Sequence, residues 1–188
     1  VFSTELLHEL LAVPGDDFGK HIIPRALGKR RLMAYVFDGY WADIGTIRRF
    51  YEVNLELISP NRPLELFGSR WPIYTHPRFL PPSQVCGARL GDVLIADGTS
   101  IDDSDIDDSV IGLRSMIGPR AAIRSSIVMG ADYYEEDTDK VENRRLGRPN
   151  VGIGEGACVE CAIIDKNARI GRNVQIRHLP GRPDFDSE

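Results

Sequence analysis

The sequence predicts part of an α/β domain followed by a left-handed parallel β-helix of hexapeptide repeats, and three observations predict it. Helical and strand-like patterns alternate over residues 1–60, as at the edge of an α/β layer. Prolines crowd residues 61–88, at Pro63, Pro72, Pro77, Pro81 and Pro82, which suits a semi-rigid, extended linker. From Leu90 onward, aliphatic residues recur every five or six positions. That period fits neither a helical stripe nor an alternating strand. It fits coils of three short strands, each contributing one inward side chain.

The elements follow in chain order. Ser3 stands where it caps a helix carrying Leu6, Leu7, Leu10 and Leu11 at helical spacing, and Pro14-Gly15 breaks that helix. A second short helix is expected over Phe18–Leu27, ending at Gly28 as its C′ residue. Met33-Ala34-Tyr35-Val36-Phe37 is an apolar, aromatic run of strand length closed by Asp38-Gly39. Thr46 is the next N-cap, and Ile47, Phe50, Tyr51, Leu55 and Ile58 form a helical stripe that stops at Ser59-Pro60.

The repeats occupy residues 89–188. Their inward positions are Leu90, Ile95, Ile101, Ile106, Ile111, Ile117 and Ile123, and after an interruption Ile153, Val159, Ile164, Ile170 and Ile176. Glycine and asparagine, as at Asn167 and Asn173, serve corners where positive φ is tolerated. The interruption, about 132–150, is polar and reads as a loop ejected from the stack. The acidic run Asp102 to Asp108 alternates with inward aliphatics and reads as a solvated outer face rather than a metal site.

Composition narrows the function. Net charge is −5 with no long basic block, which argues against duplex nucleic acid as a partner. Cys86, Cys158 and Cys161 form neither an even disulfide set nor a four-ligand zinc set, and Cys158-Val-Glu-Cys161 follows a repeat coil instead of a strand–helix junction. No apolar run approaches the ~20 residues of a membrane span. The chain reads as cytoplasmic (plastid stroma in a plant). Beginning on Val1-Phe2-Ser3 and ending on polar Pro183 to Glu188, it is expected to be cut at both ends.

Several strings resemble the ADP-glucose pyrophosphorylase (glucose-1-phosphate adenylyltransferase) family. They are Val1-Phe2-Ser3, Asp17-Phe18-Gly19 with Ile22-Ile23-Pro24, and Gly39-Tyr40-Trp41-Ala42-Asp43-Ile44-Gly45-Thr46. Tyr74 to Pro82, Met129-Gly130-Ala131-Asp132-Tyr133-Tyr134 and Ile163 to Gly171 complete the match. The resemblance implies that residues 1–60 belong to a Rossmann-like nucleotidyltransferase domain. It also implies a reaction: ATP and glucose 1-phosphate give ADP-glucose and pyrophosphate with Mg²⁺, in glycogen or starch synthesis. The glycine-rich nucleotide loop of the family is not in this sequence, so the chain alone is expected to be inactive.

Residue by residue, the resemblance makes Asp43 the catalytic Mg²⁺ ligand, against a helix-capping role. Ser3 becomes a glucose contact as well as an N-cap. Lys20 lies in the string near the sugar, with a plain solvent lysine as the alternative. Lys166 and Arg78 match positions near an anionic metabolite effector, and Lys166 would otherwise be an exposed lysine beside Asp165. Arg144, Arg145 and Arg148 stand where the family has a lysine in the ejected loop, with Leu146 at its place, so Arg145 and Arg148 are carried as effector contacts. Family members form homo- or heterotetramers. Three alternatives remain open: a hexapeptide-repeat acyltransferase, which needs a histidine base on the coils where only His178 lies nearby; a nucleotidyltransferase of another sugar, as in GDP-mannose or UDP-sugar synthesis; and a non-catalytic regulatory subunit.

Overall fold

The computed structural model describes residues 1–177 and Gly181. His178, the polar ending and the absence of further coils after Ile176 therefore lie outside the described residues. The chain divides into two compact units, Val1–Gly39 and Tyr40–Glu188.

In the first unit, α1 (Thr4–Leu11) starts at Ser3, whose carbonyl accepts from Leu7 N–H at 3.0 Å. The helix expected over Phe18–Leu27 begins instead as a π-turn, Phe18–Ile22, and continues as α2 (Ile23–Ala26). Asp17 organises the wide turn: its carboxylate accepts from Lys20 N–H at 2.8 Å and its carbonyl from Ile22 N–H at 3.1 Å. Pro24 has no N–H to give and a fixed φ, so it sits at the start of α2 and the register changes just ahead of it. Gly28 takes φ 73° after the helix, as its C′ role requires. Leu10, Ile22 and Ala26 form the small core, with Phe2 and Leu6 packed against it. Met33–Phe37, expected to be a strand, pairs with nothing among the described residues. Met33, Tyr35 and Val36 are exposed to 82, 88 and 78%.

The second unit opens with α3 (Ile47–Glu56), capped by Thr46 Oγ1 accepting from Arg49 N–H at 3.1 Å. Twelve parallel strands follow among the described residues: β1 (Gln84–Cys86), β2 (Arg89–Leu90), β3 (Val93–Ile95), β4 (Ser100–Asp102), β5 (Asp105–Ile111), β6 (Met116–Ile117), β7 (Ala122–Val128), β8 (Gly152–Ile153), β9 (Cys158–Glu160), β10 (Ile163–Ile164), β11 (Arg169–Ile170) and β12 (Gln175–Arg177). One sheet runs β1-β4-β6-β8-β11 and the other β2-β5-β7-β9-β12, with β3 on β5 and β10 on β7. Strands β5 and β7 each turn a corner, at Asp108 (φ 44°) and Ser125 (φ 43°), so the second sheet covers two faces of the coil.

The pairing stacks the aliphatics in three columns. Val85, Ile101, Ile117, Ile153 and Ile170 form one. Leu90, Ile106, Ile123, Val159 and Ile176 form the second. Ile95, Ile111, Val128 and Ile164 form the third. Ile106, Ile111, Ile123 and Val159 are wholly buried. The stack opens earlier than the spacing indicated, because β1 lies in the segment read as linker. Val85 and Leu90, at the end of their columns, are 42 and 38% exposed, having a coil on one side only.

Buried hydroxyls satisfy the corners from inside. Ser109 Oγ donates to Asp107 O at 2.6 Å and accepts from Ser126 N–H at 3.2 Å, and Ser126 Oγ accepts from Ala162 N–H at 3.2 Å. Asn167 and Asn173 take φ near 60°, as expected of corner residues. Asp103 (φ 36°) and Asp108 do the same, so part of the acidic run serves as corners. Short polar side chains tolerate this backbone region best after glycine. Helix α3 packs on β5 and β7, and the Tyr51 hydroxyl donates to Ser125 O at the corner. Burial, then Cys161 and Asp108, push the Tyr51 hydroxyl up to about 12.

Candidate functional site

The residues assigned to chemistry fall in four places. Ser3 and Lys20 belong to the first unit. Ser3 fills the N-cap position with extended backbone, yet its side chain makes no capping bond, so its hydroxyl is unspent. Lys20 commits its backbone N–H to Asp17, while its ammonium is exposed.

Asp43 lies in the second unit, just ahead of α3. Its Oδ1 accepts from Gly45 N–H at 3.1 Å, a local turn bond. Thr46, not Asp43, performs the helix capping. The segment is tied down from Tyr40, whose hydroxyl donates to Glu56 Oε2 at 3.0 Å, and Arg49 bonds the same carboxylate at 2.9 Å. Burial and then the Glu56 hydrogen bond raise the Tyr40 hydroxyl. Asp43 is exposed, with one oxygen engaged only by a backbone amide. A lone carboxylate of this kind suits Mg²⁺, which usually takes one or two protein carboxylates alongside phosphates and water. Among the described residues no three His, Cys, Asp or Glu side chains cluster as a self-sufficient metal cage.

The third place is a corner of the β-helix. Lys166 Nζ pairs with Asp132 Oδ1 at 2.9 Å, and Asn167 Nδ2 donates to Asp132 Oδ2 at 2.9 Å. The Lys166 bond, then the Asn167 bond, hold the Asp132 carboxyl below its usual range. Arg114 lies 5.9 Å from the Tyr134 ring centroid, and Tyr134 hydroxyl donates to Gly98 O at 2.8 Å. Leu80 closes on the same corner, since a Cβ on Gly98 would stand 3.3 Å from it. Arg78 is exposed, with Nη1 donating to His76 O at 3.3 Å, and makes no contact with Lys166.

The fourth place is the ejected loop. It contains α4 (Asp137–Arg145), begun by a capping box between Glu136 and Asp139. Arg145 is held by its neighbour Glu142 at 2.6 and 2.7 Å and points outward. Arg148 Nε donates to Asn143 Oδ1 at 2.7 Å. Sequence reasoning missed the polar core beneath the helix. Asn143 is wholly buried and donates to Glu135 Oε1 at 2.8 Å and Asn150 Oδ1 at 3.0 Å. The Glu135 side chain is 4% exposed, 2.6 Å from the Arg169 guanidinium, and its Oε2 accepts from Val151 N–H at 2.8 Å. Burial alone would raise Glu135, but the Val151, Asn143 and Arg169 bonds outweigh it and hold the carboxyl below its usual range. The only available signal was an asparagine inside a helical, otherwise charged segment.

Of the histidines described, His8, His21 and His76 all lie outside the coil strands, so none is placed as an acyltransferase base on a coil. No helix among the described residues is long and apolar enough to cross a membrane.

Comparison with known families matches residues 78–188 to the GLGC left-handed parallel beta-helix domain and residues 1–59 to the nucleotidyl transferase family. The first match takes in every coil described above and fixes their hand as left-handed. With that match spanning more than half of its length, the chain belongs to the GLGC left-handed β-helix family, joined to nucleotidyltransferase sequence as in the C-terminal portion of an ADP-glucose pyrophosphorylase.

Proposed function

We propose that the protein carrying this chain is a glucose-1-phosphate adenylyltransferase. A phosphate oxygen of glucose 1-phosphate attacks the α-phosphorus of ATP, the bond to the β-phosphate breaks, and ADP-glucose and pyrophosphate leave. The observation that carries the reading is the pairing, in one chain, of nucleotidyl transferase sequence with a GLGC-type β-helix.

The roles follow from chemistry at each position. Asp43 would hold Mg²⁺, which supplies charge neutralisation to the phosphates and the departing pyrophosphate. Ser3, with a hydroxyl unused by its helix, offers a donor and acceptor to the sugar. Lys20 offers a mobile point charge. Transfer of this kind depends mainly on positioning and preorganised charge, which suits residues anchored at helix starts. Lys166 is the effector contact: its partner Asp132 is exposed, so an incoming anion can compete for the ammonium. Arg78 adds charge for the same class of ligand. Arg145 contributes only by exchanging Glu142 for the effector. We further propose a tetramer assembled through the β-helix, in the cytoplasm or plastid stroma.

The test is formation of ADP-glucose from glucose 1-phosphate and ATP by the natural gene product, with GTP, CTP and UTP as competitors. The expected result is adenine selectivity and Mg²⁺ dependence. Asp43→Asn is expected to lower kcat by about 10²-fold or more, the scale of one preorganised electrostatic contact. Preference for another nucleotide, or an unchanged kcat in Asp43→Asn, would overturn the reading.

A further inference from the structure

Beneath α4, against the sheet face of β4, β6, β8 and β11, lies an open cleft of about 700 Å³. Gly118, Gly152, Gly154 and Gly171 are among the residues that line it, and coil stacking leaves little room for a side chain at two of them. A Cβ on Gly154 would stand 2.7 Å from Ile170 O, and one on Gly118 would stand 3.0 Å from Glu155 N. Its walls carry Lys140, Arg144, Arg148 and Arg172 against Asp102 and Glu155.

The charges do not cancel. Glu155 is claimed twice, by Arg172 at 2.6 Å and by Arg120 from outside the cleft. Among the described residues Lys140 pairs only with Asp137, 3.3 Å away on the preceding turn and almost fully exposed. The Arg144 guanidinium has no hydrogen-bond or ion-pair partner among the described residues. Arg148 is different again: Asn143, itself wholly buried, accepts from its Nε, and the side chain lines the cleft with no hydrogen bond from its Nη atoms among the described residues. The wall is therefore rigid, since Glu135 and Arg169 pin the loop to β8 and β11. A hollow of metabolite size, lined by guanidinium forks, is suited to phosphoryl oxygens.

We propose that this cleft binds a phosphate-bearing small molecule, with Arg144 and the oriented Arg148 as its main contacts. The site is separate from the Lys166 corner and requires no particular reaction of the protein. Arg145, turned outward to Glu142, takes no part in it.

The test is calorimetric titration of this chain with inorganic pyrophosphate as probe, alongside Arg144→Ala, Arg148→Lys and Lys166→Ala. Arg144 is exposed, so its removal leaves the fold intact, which thermal melting checks. Binding is expected to weaken about tenfold in Arg144→Ala, a loss of about 1.4 kcal/mol. It should weaken also in Arg148→Lys, and stay unchanged in Lys166→Ala. Amide shifts at Gly152 and Gly154 should accompany binding. Displacement of the probe by AMP would identify a nucleotide, and displacement by glucose 1-phosphate a sugar phosphate. Absence of binding, equal binding in Arg144→Ala, shifts confined to Asn167, or displacement by neither competitor would each overturn the proposal.

Discussion

Two stretches of this chain carry strand signals of very different strength, and the weaker one forms the strands. Met33–Phe37 is five apolar and aromatic residues in a row, yet it stays unpaired and exposed among the described residues. Met116-Ile117 offers two residues between polar neighbours, yet it bridges β4 and β8. The difference is the partner. A short strand in the β-helix meets a near copy of itself one coil away, so its backbone groups are satisfied on both sides and its one aliphatic is covered above and below. The Met33 run has propensity without a ladder, and propensity in strands largely expresses what side chains pack against.

The largest expected effect lies in the columns. Ile123 is wholly buried between Ile106 and Val159. Ile123→Ala should cost about 2–5 kcal/mol, the range for a large-to-small change in a core that cannot collapse. Urea unfolding of unit two measures it. A cost below about 1 kcal/mol would mean that the coils slide to fill the gap, and the contrast between stacked and unstacked strands would weaken.

A smaller effect tests the loop, which is ordered by polar contacts where the coils are ordered by apolar ones. Glu135→Gln keeps the shape but leaves Arg169 facing a neutral acceptor, at a cost of about 1–3 kcal/mol in local opening. Hydrogen exchange of the α4 amides reads it. The sign in pH follows from the depressed Glu135 carboxyl. Its stabilisation is complete above the usual carboxylate value of 4.5 and is lost as pH falls through the lower folded value. Wild-type protection, taken relative to the intrinsic exchange rate at each pH, should therefore fall in acid, and the Gln variant should lose that dependence.

These regions also differ in what their sequences announce. The columns were legible because each inward position is filled by Ile, Leu or Val at nearly constant spacing, and Asn167 and Asn173 marked corners. Gln84–Cys86 was not, because Val85 is one aliphatic in a proline-rich stretch with no earlier repeat to set its phase. Thr46 announced its cap by position. Asp43 and Lys166 were visible only through their surrounding strings, since one carboxylate or one ammonium has no periodicity. Glu135 and Asn143 were silent for a further reason: a buried polar network depends on which groups meet in space, and the residues involved look like ordinary surface ones.

The smallest expected effect returns to the unpaired run. Val36 is 78% exposed, so Val36→Ser removes apolar surface that already faces water. Its stability change should stay within about 0.5 kcal/mol, as for surface positions without special contacts. The same chemical change at Ile123 would bury an unsatisfied hydroxyl and leave a void, and its cost should exceed that of Ile123→Ala. Measuring both serine variants by the same unfolding transition puts the two strand signals on one scale. A loss at Val36 approaching that at Ile123 would show the run to be packed in solution, by intermolecular pairing if the loss grows with protein concentration. Partner supply, rather than strand propensity, would then still be the deciding variable, with the partner coming from a second chain.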